Sequence, residues 1–334
     1  MSDFFDVLEQ SIQTALRTSF GPIAAAYALA AIGLNLHYGY TGLLNFGHVA
    51  FLMVGAYGAA ITVDQGGSLW LGVLVGILAS VVLGLIFGLP TLRLRADYLA
   101  IVTIAGAEVV RTLIRSGDED SLTRGVFGIT HVADQFHDAN PFDSEFHIWG
   151  SFEYSPRGLW TLFIGWGLVA LATVLVALLV QSPWGRVLKS IREDEDAARS
   201  LGKNVFSYKL QSLVTGGAIA GLAGMLIALE RSAVHPDYYL PVGTFVAYAV
   251  LILGGPATRL GPIVGAIAYW FLLEFTSEFL RGGIDQQWIG FRSIEVTDIG
   301  AVRFMLVGLG LMLLMVFRPQ GILGKREEVL LDAR

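Results

Sequence analysis

Three groups of polar residues interrupt an otherwise apolar chain, and each suits a particular kind of chemistry. The first is Asn45, Phe46 and His48, in the run Gly39-Tyr40-Thr41-Gly42-Leu43-Leu44-Asn45-Phe46-Gly47-His48, where three glycines and several polar side chains separate two apolar stretches. A break of this kind exposes backbone groups that protein or a water-lined cavity must satisfy. Asn45 and His48 are three residues apart and share a helical face, so with Phe46 they are candidates to line a path for a small solute; a tight loop leading into a helix is the alternative. A metal site is not expected, because His48 has no second ligand at zinc spacing.

The second group is Glu108 with Arg111, in a segment of membrane length. An ionisable group there is costly unless paired or wetted, which makes Glu108 a candidate for the same path. Arg111 at i+3 is its expected partner, either in passage or only in packing near a membrane interface. The third group is the acidic run Glu193 to Asp196, followed by Ala197, Ala198, Arg199, Leu201 and Gly202. Acids suit a helix N-terminus, Arg199 the last turn and Gly202 the left-handed position beyond it. Ala197, Ala198 and Leu201 would then form a small apolar face that calls for a protein partner; a solvated loop with ordinary helix signals is the alternative.

Covalent chemistry is not indicated. Gly324-Lys325 is followed by Arg326 and lacks the spaced upstream glycine and the Ser or Thr of a phosphate-binding loop, so the chain is not expected to hydrolyse ATP itself. With no cysteine, disulfides, thiolate metal sites and cysteine nucleophiles are excluded. No Ser/His/Asp order, metal cluster or paired-carboxylate motif stands out, and nucleic acid is not an expected partner.

The elements that must hold these residues are membrane helices. Charged residues make up 15% of the 334 against roughly 25% in soluble domains, and hydrophobic residues make up 54%. Mean hydropathy is +0.62. A span of about 20 apolar residues crosses the hydrocarbon core. Residues 69–89 and 158–180 do so without a charge, 211–229 is similar, and 21–38, 43–63, 97–115 and 299–317 qualify with some polar residues. Residues 238–280 read as two further segments, crossing or re-entrant, around Gly254, Gly255, Pro256, Gly261 and Pro262. The fold class is thus an all-α polytopic membrane protein of about nine transmembrane or re-entrant helical segments.

Lys and Arg collect in 91–95, 181–210 and the tail from 318, which places these in the cytoplasm by the positive-inside rule. Residues 116–157 carry eight acids against Arg124 and Arg157 and face outward. Two crossings before residue 64 would leave the N-terminus outside, and one broken helix would leave it inside. Residues 1–20 lack a basic leader region and read as a retained amphipathic segment at the membrane surface.

Taken in order, Gly39 to Gly58, Arg95 to Thr103 continuing through Glu108-Val109-Val110-Arg111, Ser182 to Gly202, Gly254-Gly255 to Gly265 and Arg318-Pro319-Gln320-Gly321-Ile322-Leu323-Gly324 resemble the permease subunits of branched-chain amino acid ABC transporters. The resemblance spans residues 20 to 324. It implies an ABC importer permease working with a homologous second permease, two ABC ATPase subunits and an external substrate-binding protein, in the lipid bilayer of the cell membrane. ATP and Mg would be used by the ATPases, with no cofactor in this chain. The expected division is 1–20 N-terminal segment, 21–324 permease domain with 116–157 external and 181–210 cytoplasmic and coupling, and 325–334 cytoplasmic tail. Residues 182–202 would contain the helix that meets the ATPase, with Arg192, Glu193, Asp194, Ala197, Ala198, Leu201 and Gly202 as candidate contacts. The chain departs from the family at Thr123-Arg124-Gly125, where a Thr-Gly-Gly stretch is usual. The same architecture also serves urea and short amides, so those substrates remain an alternative. A stand-alone secondary transporter or channel is a second alternative, and a membrane enzyme a third.

Overall fold

The computed structural model describes residues 2–93, 96–118, 122–142, 146–147, 153–288 and 296–324. The chain begins with α1 (Ser2–Ser19), α2 (Pro22–Leu34), a π-helical turn (Asn35–Tyr40), α3 (His48–Asp64), α4 (Leu69–Thr91) and α5 (Ala96–Arg115). Next come β1 (Ile129–Thr130), α6 (Asp134–Asp138), β2 (Phe146–His147), β3 (Glu153–Tyr154), α7 (Pro156–Gln181), α8 (Pro183–Glu193), α9 (Glu195–Ser200) and α10 (Val205–Arg231). It closes with β4 (Ala233–Val234), a 3-10 turn (Pro236–Tyr239), α11 (Val242–Gly254), α12 (Gly261–Asp285) and α13 (Ile299–Phe317). The strands form two small antiparallel pairs, β1 with β4 and β2 with β3.

Each of the nine expected segments holds one helix, but they are unequal. Five (α4, α7, α10, α12 and α13) are long and apolar enough to cross a membrane, and α1 with α2 passes the same test across a 51° bend. The helices α3 and α11 are apolar but only 17 and 13 residues long. The 43–63 stretch has membrane length in sequence, yet its first five residues are non-helical, and the helix starts at His48. α5 contains Asp97, Glu108, Arg111 and Arg115 and is amphipathic.

The helix α10 is the centre of the bundle, its apolar window mostly buried. A Cβ on Gly33 of α2 would lie 2.4 Å from the Gly216 carbonyl oxygen, one on Gly55 of α3 2.4 Å from Gly221 Cα, and one on Gly224 only 1.8 Å from the Leu52 oxygen. These helices therefore touch backbone to backbone, as small residues allow where lipid supplies no hydrophobic drive between helices. α4 runs antiparallel to α10, with Gly76 beside Met225, Gly84 beside Val214 and Gly88 beside Leu210.

The N-terminal segment, expected at a membrane surface, packs along α12, with Phe4 against Phe279 and Trp288 and Val7 over Gly282, through its buried stripe of Val7, Ser11 and Ala15.

At 26 residues, α7 spans about 39 Å, so the segments before and after it lie at opposite ends of the bundle. One end gathers α8, α9, Gly39 and the 318–324 segment, whose Ile322 and Leu323 amides donate to Leu253 and Gly254 (2.9 and 3.0 Å). The other end holds the β1–β4 pair, the Arg124–Asp64 ion pair (2.7 Å) and the Gln135 side chain accepting from the Leu69 amide (2.9 Å). Arg124 takes φ 51°, a left-handed conformation that glycine adopts without cost, and its guanidinium pairs with Asp64. The expected 325–334 tail lies outside the described residues.

The central crossing gives a direct test. Gly224→Ala should destabilise the solubilised protein by about 1–3 kcal/mol, the usual penalty of overpacking. Gly167→Ala, where nothing lies within 4 Å, should leave the melting temperature unchanged or higher. Equal melting temperatures for the two variants would contradict the backbone contact.

Candidate functional site

The break between α2 and α3 leaves backbone and side-chain polar groups inside the bundle, and a network satisfies nearly all of them. The Leu213 carbonyl can only accept, so His37 Nε2 carries the proton donated to it (3.1 Å). His37 Nδ1 then accepts from the Asn45 amide nitrogen (3.3 Å), while Asn45 Oδ1 accepts from the Gly47 amide (3.1 Å). Thr41 donates to the Leu36 carbonyl (2.7 Å) and meets Ser212 (2.7 Å). His48 Nε2 donates to the Ala30 carbonyl (2.9 Å), and its ring stands nearly perpendicular to that of His37, 5.4 Å away. The His37 ring is neutral in this arrangement, since protonating its Nδ1 would set a donor against the Asn45 donor.

Asn45 and His48, the residues expected to line a path, are both fully buried within the chain, where they brace the break. They are drawn inward because α3 begins inside the bundle. His37, which the sequence reading passed over, is central to the brace. Its signal was its position in the same interrupted stretch, and Gly216 makes room for it, since a Cβ there would lie 2.3 Å from the imidazole.

Phe46 differs from its neighbours. It is half-buried, its amide donates to Thr103 Oγ1 on α5 (3.1 Å), and its ring rests on Tyr248 and Phe245 of α11 (5.0 and 5.6 Å). Phe245 and Val242, three residues apart on that short helix, are exposed. The α11 start is fastened to α3, with Thr244 Oγ1 accepting from the Val49 amide (2.9 Å). Two short helices thus begin together inside the bundle, with Phe46 and Phe245 at their margin.

Glu108 does not join this group. It lies five residues beyond Thr103, about 7.5 Å along α5, and both its carboxylate oxygens accept from Arg111 Nε (3.1 and 3.0 Å). The i+3 pairing was legible; its extension was not. Arg111 also bonds Asp237 (3.1 Å), as does Arg115 (2.6 Å), so two arginines of α5 hold the 3-10 turn between α10 and α11. His235 completes the attachment, donating from Nε2 to the Val126 carbonyl (2.5 Å) while its Nδ1 accepts from the Asp237 amide (3.1 Å). Among the described residues, no His, Asp and Glu cluster has the geometry of a metal site.

In the segment after α7, the four acids do not share one helix start. Glu193 closes α8, and Asp194 caps α9 by accepting from the Asp196 and Ala197 amides (2.9 Å each). Arg199 pairs back to Glu195 and Asp196 (3.0 and 2.8 Å). Gly202, at φ +77°, ends the helix; its amide reaches the Arg199 carbonyl (3.0 Å) and that of Lys203 the Ala198 carbonyl (3.3 Å), the paired bonds of a left-handed cap.

The expected apolar face is divided. Ala198 is 2% exposed and packs with Ile191 and Val205, whereas Leu201 is 79% exposed and Ala197 is open. Neighbouring residues on a helix differ by about 100°, and α9 is folded back onto α8 and α10, so Ala198 turns inward while Ala197 turns out. α8 is joined to the break itself. Arg192 donates to the Gly39 carbonyl of the π-turn (2.6 Å), and Lys189 lies 5.9 Å over the Tyr40 ring.

A family model described as "Branched-chain amino acid transport system / permease component" matches residues 22–316. The LivM permease proteins of high-affinity branched-chain amino acid transport systems in Salmonella typhimurium and Escherichia coli are each 31% identical over 312 residues, covering 89% of this chain and 67% of theirs. LivH of Escherichia coli, a permease protein of the same kind of system, is 24% identical over 314 residues, covering 91% of this chain and 93% of its own. A solved chain, PsaBC from Streptococcus pneumoniae in complex with Fab, aligns over 92% of this chain and 94% of its own with a TM-score of 0.42 and 16% identity, a likeness too distant to bear on the site. The chain therefore belongs to the permease component family of branched-chain amino acid transport systems: it is a multi-pass membrane subunit of an ABC transporter, itself non-catalytic and without a cofactor, in a system whose ATP is hydrolysed by partner ATPases.

Proposed function

We propose that this chain forms half of the import path for branched-chain amino acids, with a homologous second permease as the other half, an external binding protein delivering substrate and two ABC ATPases beneath. The observation that carries the coupling part is the Arg192 bond to Gly39, which ties the helices after α7 to the break between α2 and α3. In this reading α8 and α9 are cytoplasmic and receive the ATPase through Glu193, Ala197, Leu201 and the exposed rim of α9. Their displacement pulls the π-turn and hence the 41–47 segment, which presents Phe46 beside Phe245 to the path. Capping by Asp194 and Gly202 keeps α9 short and stiff, so that movement is transmitted and not absorbed. Ala198 and Arg199 hold that unit together from within.

The apolar Phe46 and Phe245 margin suits an aliphatic side chain, and the names of the related permeases support the same cargo. Urea or a short amide is the alternative cargo; urea offers no apolar group to this margin, and a short amide only a small one. A stand-alone proton-driven transporter is disfavoured, since His48 is sealed from solvent and Glu108 is already bridged by Arg111. At the outer end, the Arg111–Asp237–Arg115 cluster holds the turn before α11 against α5.

Two outcomes test this account. In the reconstituted complex, Arg192→Ala should lower substrate uptake about tenfold or more, the worth of one charge-assisted hydrogen bond at roughly 1.5–3 kcal/mol, with ATPase association retained. Uptake at the wild-type rate would remove the coupling assignment. Because the chain has no cysteine, His131→Cys and Ser200→Cys can each be labelled uniquely in intact cells. An impermeant thiol reagent should modify the first and not the second, and labelling of Ser200→Cys would reverse the orientation.

A further inference from the structure

At the end of the bundle that carries α8 and α9, a cleft of about 660 Å³ opens between the end of α4 and the junction of α9 with α10. Arg93, Arg199, Lys203 and Lys209 line it against two carboxylates, Glu195 and Asp196. The carboxylates are already engaged: Glu195 pairs with Lys209 and Arg199, and Asp196 with Arg199. Among the described residues, this leaves Arg93 and Lys203 without an ion-pair partner, and the Arg93 guanidinium rests 5.8 Å over the Phe206 ring. Two cations on one cleft repel unless an anion lies between them. The N-terminus of the 27-residue α10 opens onto the same cleft and adds its positive end.

The depth of the cleft narrows the choice of anion. Arg93 lies two residues beyond α4, a helix of membrane-crossing length and hydropathy whose last turns expose Leu85, Ile86 and Leu89. The cationic cleft therefore meets the lipid-facing side of the bundle at headgroup level. A ligand with a phosphodiester charge and acyl chains uses both features, whereas a soluble phosphate uses only the first. We propose that this cleft binds the headgroup of an anionic phospholipid, with Arg93 and Lys203 clasping its phosphodiester and the acyl chains lying along the end of α4. Arg93 belongs to the α4–α5 link and Lys203 to the α9–α10 link, so the bound lipid bridges the membrane bundle to the α9 unit. Lipid composition then bears on how firmly α9 is held.

The test uses the full chain, purified in mild detergent and titrated with phosphatidylglycerol or phosphatidylcholine under native mass spectrometry. Wild type should retain phosphatidylglycerol in preference to phosphatidylcholine. The Arg93→Gln/Lys203→Gln double variant should bind phosphatidylglycerol about thirtyfold more weakly, as expected for losing two cations at headgroup depth. The charge-conserving pair Arg93→Lys/Lys203→Arg should retain binding, which separates loss of charge from loss of fold. Arg124→Gln, at the opposite end, should behave as wild type. Equal binding of the two lipids, undiminished binding in the neutral double variant, or full displacement of phosphatidylglycerol by inorganic phosphate or ATP at equal concentration would each overturn the proposal. Photolabelling with a diazirine phosphatidylglycerol gives an independent check: the label should fall within residues 85–93, and label confined to other helices would contradict the site.

Discussion

The contact on which the rest of the molecule depends is the meeting of α10 with α2 and α3 through bare backbone. Gly33 against Gly216, Gly55 against Gly221 and Gly224 against the Leu52 carbonyl leave no room for a Cβ at any of three crossings. In lipid, where apolar side chains gain little by leaving hydrocarbon for one another, such close packing is what holds helices together. A centre packed this way has one arrangement and resists continuous deformation. Movement in the transport cycle must therefore be drawn from the margins, where helices are short or broken.

Those margins are physically distinct from the centre. The π-turn at 35–40 and the non-helical run to Gly47 separate α2 from α3, and α11 is only 13 residues long. Their freed polar groups are satisfied by His37, Asn45, Thr41 and Thr244, so the break is held without being welded into a continuous helix. π-Helical turns concentrate at functional sites, and this one has a charged handle in Arg192. The handle is attached to the α8–α9 helix pair, whose Ile191 and Ala198 pack on Val205 at the start of α10.

Much of this was legible in the sequence, and the remainder was hidden for identifiable reasons. Hydropathy located the helices, five or six of which are long and apolar enough to cross a membrane, and the i+3 spacing paired Glu108 with Arg111, because both signals are local. The cap at Gly202 was legible for the same reason. Segment length misled where apolar residues continue through non-helical backbone, as at Leu43 and Leu44, since lipid-compatible composition does not require a helix when the stretch is enclosed by protein. The Asp237 partner of Arg111 is 126 residues away and left no pattern to find. Asn45 and His48 have the composition of a path and the burial of a brace, and only tertiary packing separates the two. The same holds for Ala198, whose direction depends on α9 folding back onto its neighbours.

The central claim is that the α8–α9 unit and the 41–47 segment move as one body against a fixed centre. Spin labels at Leu44→Cys and Ser200→Cys in the cysteine-free chain, with Leu89→Cys on α4 as the fixed reference, allow pulsed electron resonance to measure this in the assembled complex with and without trapped ATP. The account predicts that the 44–200 distance distribution stays the same between the two states while both the 44–89 and 200–89 distributions shift. A 44–200 distance that changes as much as the 200–89 distance would contradict it.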